Sequence, residues 1–198
     1  MSLLVVATTN PGKLAELRRL LAGEDVVLHS LADHPEVPEV VEDGETFEEN
    51  ARKKAQAVAR ATGLPALADD SGLEVDALAG EPGVRSARWS GRGDRANNDR
   101  LLAELELRPG APRTARFRAV LALAWPSGEI EVATGSCEGE IAIVPRGTNG
   151  FGYDPLFVVT GENGRTYAEL EGHEKDRHSH RAAALGALWP RARDRLAR

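Results

Sequence analysis

The chain has 198 residues, with 31 acidic and 25 basic side chains and a formal charge of −6. Hydrophobic residues at 41% and charged ones at 28% are globular values that exclude a disordered chain. The acidic balance excludes a broad nucleic-acid or anionic-membrane surface, which needs an excess of Lys and Arg; an anionic ligand must therefore meet locally arranged cations or a metal. The length fits a single domain over residues 1–198 with a substantial core. The lone Cys137 cannot form an intrachain disulfide, which fits a reducing compartment. Residues 1–13 lack a basic region and hold only a five-residue apolar run, neither a signal peptide nor a span. A soluble, cytoplasmic protein is expected.

In chain order, residues 3–7 read as a strand that ends in Thr8-Thr9-Asn10-Pro11-Gly12, a dense turn signal. A helix over 13–21 follows from apolar residues at 14, 17, 20 and 21, with Gly23 as the stop. Residues 26–28 predict a second strand, and the stretch around Pro35 and Pro38 a loop. Thr46-Phe-Glu-Glu49 is a capping box opening an Ala-rich helix that Gly63 and Pro65 end. Residues 66–68 predict a short buried strand delivering Asp69-Asp70-Ser71-Gly72 at its end. A Gly-, Arg- and Trp-rich loop spans 80–93, and a helix is expected over 97–107. Residues 115–125 and 130–136 flank Pro126-Ser127-Gly128, a hairpin signal, with another strand over 140–144. A Gly-rich loop over 147–155 leads into a strand over 156–159. The helix over 180–188 is expected to break or kink at Pro190 before an Arg-rich end. The order predicts an α/β fold with a mixed twisted sheet, flanking helices and a cleft.

Several segments have chemistry in them. The strand-to-helix turn Thr8-Thr9-Asn10-Pro11-Gly12-Lys13 offers backbone N–H groups, a positive helix end and a lysine, all suited to phosphate; an ordinary capped turn is the competing reading. It is not a Walker A loop, because Ala7 stands at the first glycine position and Leu14 replaces Ser/Thr. Glu42, Asp43, Glu45, Glu48 and Glu49 precede and enter the second helix, where solvated first-turn carboxylates favour the dipole. The Asp69-Asp70 pair is a candidate partner, since carboxylates from separate segments suit Mg²⁺ together with substrate phosphates. One carboxylate is also a candidate general base, and a solvated turn is the alternative.

Phe151, set between Gly150 and Gly152, is a candidate stacking platform for a flat base or a plug for the core. His178-Ser179-His180-Arg181 lacks the companions of a transition-metal site; Arg181 in the first turn of a helix opposes the dipole and so calls for an anionic or carbonyl partner. Only Lys13, Lys53, Lys54 and Lys175 are lysine, leaving 21 arginines among the 25 basic residues. Three of the four lysines stand in or beside the suspected segments.

The ordered set resembles the inosine triphosphate pyrophosphatase family, the noncanonical purine nucleoside triphosphate pyrophosphatases. It runs from Thr8-x-Asn10-x-x-Lys13 through Glu42, Thr46-Phe-x-Glu-Asn50-Ala and Lys54 to Ala68-Asp-Asp-Ser-Gly-Leu73. It continues through Pro82-Gly-Val-x-Ser-Ala-Arg88 and Gly150-Phe-Gly-Tyr-Asp-Pro155 to Lys175 and Ser179-His-Arg181. Asp176 stands where the family usually has Asn, and His178 where an apolar residue is common.

The resemblance implies a homodimer whose subunits have two lobes around a central nucleotide-binding cleft. It also implies Mg²⁺-dependent conversion of ITP, dITP or XTP to the monophosphate and pyrophosphate. By position, Thr8, Thr9, Asn10, Pro11, Gly12, Lys13, Lys54 and Ser71 would hold the triphosphate. Glu42 and Asp70 would sit at the metal, Asp70 also being the base. Phe151, Gly152, Tyr153, Asp154, Lys175, His180 and Arg181 would form the nucleoside side. A Maf-like pyrophosphatase for modified pyrimidine or ordinary nucleotides, and a nucleotide-binding regulator without turnover, are the alternatives.

Overall fold

The computed structural model describes residues 2–196; the last two residues of the predicted Arg-rich end lie outside the described residues. Six strands, β1 (Ser2–Val6), β2 (Val26–Ser30), β3 (Ala66–Val75), β4 (Thr114–Ala124), β5 (Ile130–Ile141) and β6 (Phe157–Val159), pair in the order β2-β1-β3-β4-β5-β6. β1 runs parallel to β2 and to β3, whereas β5 and β6 are antiparallel, so the sheet is mixed as expected. Among the described residues five α-helices accompany it: α1 (Pro11–Leu20), α2 (Phe47–Thr62), α3 (Asp94–Glu106), α4 (Gly172–Asp176) and α5 (His180–Leu196).

The chain divides into two compact units. The first takes the chain through Asp70, then Ala119–Gly135 and everything from Arg181 on; the second takes Ser71–Arg118 and Ser136–His180. Each unit has its own apolar core. The first is built on Leu4, Val6, Leu17, Leu67, Leu121, Leu123 and Leu188, the second on Leu73, Val75, Leu101, Phe117, Leu156, Phe157 and Leu170.

Local chemistry explains the element ends. Asn10 caps α1, and Pro11 takes the first turn, where its missing N–H costs nothing. The Thr46/Glu49 capping box opens α2, and Gly63, at φ 67°, closes it in the left-handed conformation.

Three of the expected elements differ in the structure, and α4 stands where no element was expected. Asp69 and Asp70 lie inside β3 rather than at the end of a short strand, because Leu73 and Val75, both fully buried, draw the strand onward into the second core. Gly72 makes no turn; it lets the strand pass close to Ser86, whose side chain a Cβ would strike. The strands predicted over 130–136 and 140–144 merge into β5, which ends at Ile141, with Gly139 admitting β6 against it. Helix α5 continues through Pro190, so the expected break is absent. Buried Leu188, Trp189 and Ala192 hold the helix on both sides of the proline.

Candidate functional site

Successive strand residues point to opposite faces of a sheet, so Asp69 and Asp70 enter different surroundings. Asp69, 1% exposed, meets Lys13 Nζ of α1 at 2.7 Å and Arg181 Nε of α5 at 3.2 Å. Arg181 Nη1 in turn reaches Glu16 Oε2 at 2.9 Å. Burial by itself would push the Asp69 carboxyl up, but Arg181 and Lys13 together hold it well below the usual carboxylate range. Burial lowers the Lys13 ammonium, against the opposing pull of Asp69. Asp69 is therefore engaged by two cations and serves as an internal anchor.

Asp70 meets α2. Asn50 Nδ2 donates to Asp70 Oδ2 at 3.0 Å, and Lys54 Nζ, one helical turn along, stands 3.7 Å from Oδ1. The same ammonium lies 2.9 Å from Glu42 Oε1 and donates to the Asp69 carbonyl at 2.8 Å. Burial pushes the Asp70 carboxyl up, with Lys54 and Lys13 offsetting some of the rise. Asn50, 0% exposed, also accepts the Gly44 N–H on Oδ1 at 2.8 Å. One amide thus fixes both Asp70 and the loop that brings in Glu42.

The turn before α1 is capped. Asn10 Oδ1 accepts the N–H groups of Gly12 and Lys13, Asn10 N–H donates to Thr8 Oγ1, and Pro11 has no N–H. The sequence reading of open backbone donors at this helix start is corrected at positions 12 and 13. The features of this helix start that remain suited to an anion are its positive end and the Lys13 ammonium.

In the second unit, Lys175 Nζ contacts Asp154 Oδ2 at 2.9 Å and the Asn149 carbonyl at 3.2 Å, and it lies over the Tyr167 ring. Asp154 Oδ2 also accepts the Phe151 N–H. Tyr153 is buried and its hydroxyl donates to the Ser86 carbonyl at 3.0 Å, whereas Phe151 and Gly152 are half-buried. His180 is buried and stacks on Phe117 with ring centroids 5.2 Å apart. Ser71 is half-buried on β3.

Lys54 and Lys175 are buried and Lys13 is half-buried, each in an ion pair, while Lys53 faces outward on Asp43 at 2.5 Å. The compositional oddity marks real clusters. Thr8–Lys13, Glu42, Lys54, Asp70 and Arg181 fall in the first unit, and Ser71, Phe151–Asp154, Lys175 and His180 in the second.

The Ham1 family model matches residues 4–191. The chain belongs to the Ham1 family. A dITP/XTP pyrophosphatase of Geobacter sulfurreducens is 56% identical over 190 residues, covering 95% of each chain. One from Thermus thermophilus is 55% identical over 192 residues, 96% of this chain and 91% of the relative. Among solved structures, a HAM1 protein from Coxiella burnetii matches with a TM-score of 0.86 at 43% identity, over 95% of this chain and 96% of its own. A nucleoside-triphosphatase / dITP/XTP pyrophosphatase from Mycobacterium abscessus gives a TM-score of 0.76 at 52% identity, over 95% and 99%. The resemblance read from the motif order is borne out.

The Ham1 fold also gathers residues whose part the sequence did not show. Asn50 stood in the quoted motif only as a motif letter, and Asp69 was read with Asp70 as a candidate carboxylate pair rather than as the partner of Lys13 and Arg181. Glu16 had no local signal, since its partner Arg181 lies 165 positions away. The signal that did exist was Arg181 itself: a cation in a helix's first turn demanded an anion, and Glu16 and Asp69 are that anion.

Proposed function

We propose that this Ham1 chain hydrolyses noncanonical purine nucleoside triphosphates (ITP, dITP and XTP) to the monophosphate and pyrophosphate, as a single functional domain. The observation that carries the reading is the convergence of Glu42 and Asp70, from separate segments, on the Lys54 ammonium. The names of the relatives point the same way.

The chemistry at this cluster is proton abstraction beside concentrated phosphate charge. Asp70, pushed up by burial, is placed to accept a proton from a water that attacks the α-phosphorus; the α–β anhydride bond breaks and pyrophosphate leaves. Lys13 and Lys54 offset phosphate charge, with Thr8, Thr9, Asn10, Pro11, Gly12 and Ser71 around the triphosphate. Such catalysis is mostly positioning and charge stabilisation.

The donor set fits Mg²⁺, a hard cation that takes one or two carboxylates and completes its shell with waters and phosphate oxygens. Glu42 and Asp70 would hold it. Among the described residues no group of three or more His, Cys, Asp or Glu could hold an ion; with two carboxylates, waters and phosphate oxygens would complete the shell. Bound there, Mg²⁺ would supply charge neutralisation to the triphosphate.

By resemblance, the nucleoside end falls to Phe151, Gly152, Tyr153, Asp154, Lys175, His180 and Arg181. Hypoxanthine and xanthine present an acceptor at the 6-position where adenine presents a donor. A site built of donors therefore rejects adenine by leaving buried groups unpaired. A homodimer acting in the cytoplasm is proposed on the resemblance; among the described residues no helix is long and apolar enough to cross a membrane.

The test is pyrophosphate release from ITP, dITP, XTP, GTP and dTTP with Mg²⁺. Preference for the first three is expected. Preference for dTTP would favour the Maf-like reading, and no release from any of them would sink the enzyme reading.

A further inference from the structure

The loop carrying Phe151 has two glycines in the left-handed region, Gly150 at φ 90° and Gly152 at φ 63°. Glycine has wide conformational freedom there, so local sterics do not fix where the intervening aromatic ring points. Hydrogen bonds from elsewhere must do so.

Two of them come from the first turns of α3, outside every motif read as functional. Asp94 Oδ2 accepts the Gly152 N–H at 2.7 Å, and Asn98 Nδ2 donates to the Gly152 carbonyl at 2.8 Å. Asn98 Nδ2 also donates to the Asp94 carbonyl one turn back at 2.9 Å, tying the two grips together. Both backbone polar groups of Gly152 are thus taken by one helix face. On the other side, Asp154 accepts the Phe151 N–H and is itself held by Lys175. Tyr153 plugs inward onto Ser86, so the half-buried Phe151 ring is the aromatic this loop presents.

We infer that Asp94 and Asn98 are positioning residues: by clamping Gly152 they pre-set the Phe151 ring as a stacking platform for the purine base. The inference rests on the proposed reading of this loop as the nucleoside side. Pre-setting matters because a stacking face contributes most when it need not be ordered on binding. The two side chains differ in chemistry. Position 94 needs an acceptor, which Asn also provides through its amide oxygen. Position 98 needs a donor, which Asp at neutral pH lacks.

The test compares Asp94→Ala, Asp94→Asn and Asn98→Asp with the unaltered protein. It measures KM and kcat for ITP, and binding of inosine monophosphate and of inorganic tripolyphosphate by calorimetry. Asp94→Ala and Asn98→Asp are expected to raise KM for ITP and weaken monophosphate binding roughly tenfold, the effect of losing a charge-assisted bond or of facing two acceptors. Their kcat should change less than KM, and tripolyphosphate binding should stay within about twofold. Asp94→Asn should restore most of the loss. Equal weakening toward tripolyphosphate and monophosphate, or no rescue by Asn, would mean the clamp serves stability alone and would overturn the inference. If the unaltered protein binds tripolyphosphate but no inosine monophosphate, the nucleoside reading fails and takes the clamp with it. If the unaltered protein binds the monophosphate and the variants match it, the clamp alone fails.

Discussion

Asn50 and Asp70 form a buried pair in which one amide nitrogen, 3.0 Å from Oδ2, holds the carboxylate while the amide oxygen holds Gly44. The proposed base is therefore aimed by a helix residue whose other half fixes the loop bearing Glu42. Asn50→Ala would orphan the Gly44 N–H and remove a partner from Asp70. Unfolding free energy should fall by about 1–3 kcal/mol per orphaned group, and turnover by up to roughly 100-fold through misplacement. Denaturant titration and pyrophosphate release check the two effects separately.

Asp70→Asn keeps the shape and removes the proton acceptor. Turnover should drop roughly 100- to 10,000-fold, the range for a lost general base, while nucleotide affinity without added metal stays within a few-fold. Retained turnover would assign the base elsewhere.

Arg181 links α5 to Asp69 and Glu16. Arg181→Ala takes a shared cation from two buried carboxylates and should cost roughly 3–5 kcal/mol of stability. Arg181→Lys keeps the charge but not the fork, and should recover some of it. Comparing ITP with tripolyphosphate on the Lys variant tells whether the guanidinium also reads the base; equal affinity losses would confine it to the ion-pair cluster.

Acid should expose Asp69. Its folded pKa is depressed below 3.8, so the stability it contributes is present above that value and is lost as pH falls through the folded pKa. Below about pH 4, unfolding takes up one proton at this site, a slope of up to about 1.4 kcal/mol per pH unit. Urea melts between about pH 5 and pH 2 should show that slope, and Asp69→Asn should flatten it.

The Cys137 thiol is buried and pushed up to about 12, chiefly by burial. A thiol rather than thiolate at neutral pH reacts slowly with disulfide reagents. Labelling in mildly alkaline buffer should be far slower for the folded protein than in denaturant; equal rates would show an accessible thiolate.

Elements whose causes are local could be read from the residues alone. The Thr46/Glu49 box and Gly63 bound α2 because capping needs only neighbouring residues; α1 was expected from residue 13, whereas Asn10 caps it and Pro11 starts it. Asn50 and Lys54, four residues apart, share one helix face, and on it both meet Asp70. The order of the motifs identified the family, and the scarcity of lysine marked the ion-pair clusters around Lys13, Lys54 and Lys175.

What depends on distant packing was legible only in the folded chain. Asp69 and Asp70 read as an equivalent pair, and they became an anchor and a proposed base because Leu73 and Val75 extended the strand and so sent the two side chains to opposite faces. Glu16 was invisible because its partner lies on another helix far along the chain. Asp94 and Asn98 read as ordinary polar residues of a helix, and their grip on Gly152 exists only once the two segments are folded together. Capping and periodicity are written in neighbouring residues; the partner of a buried charge is chosen by the fold.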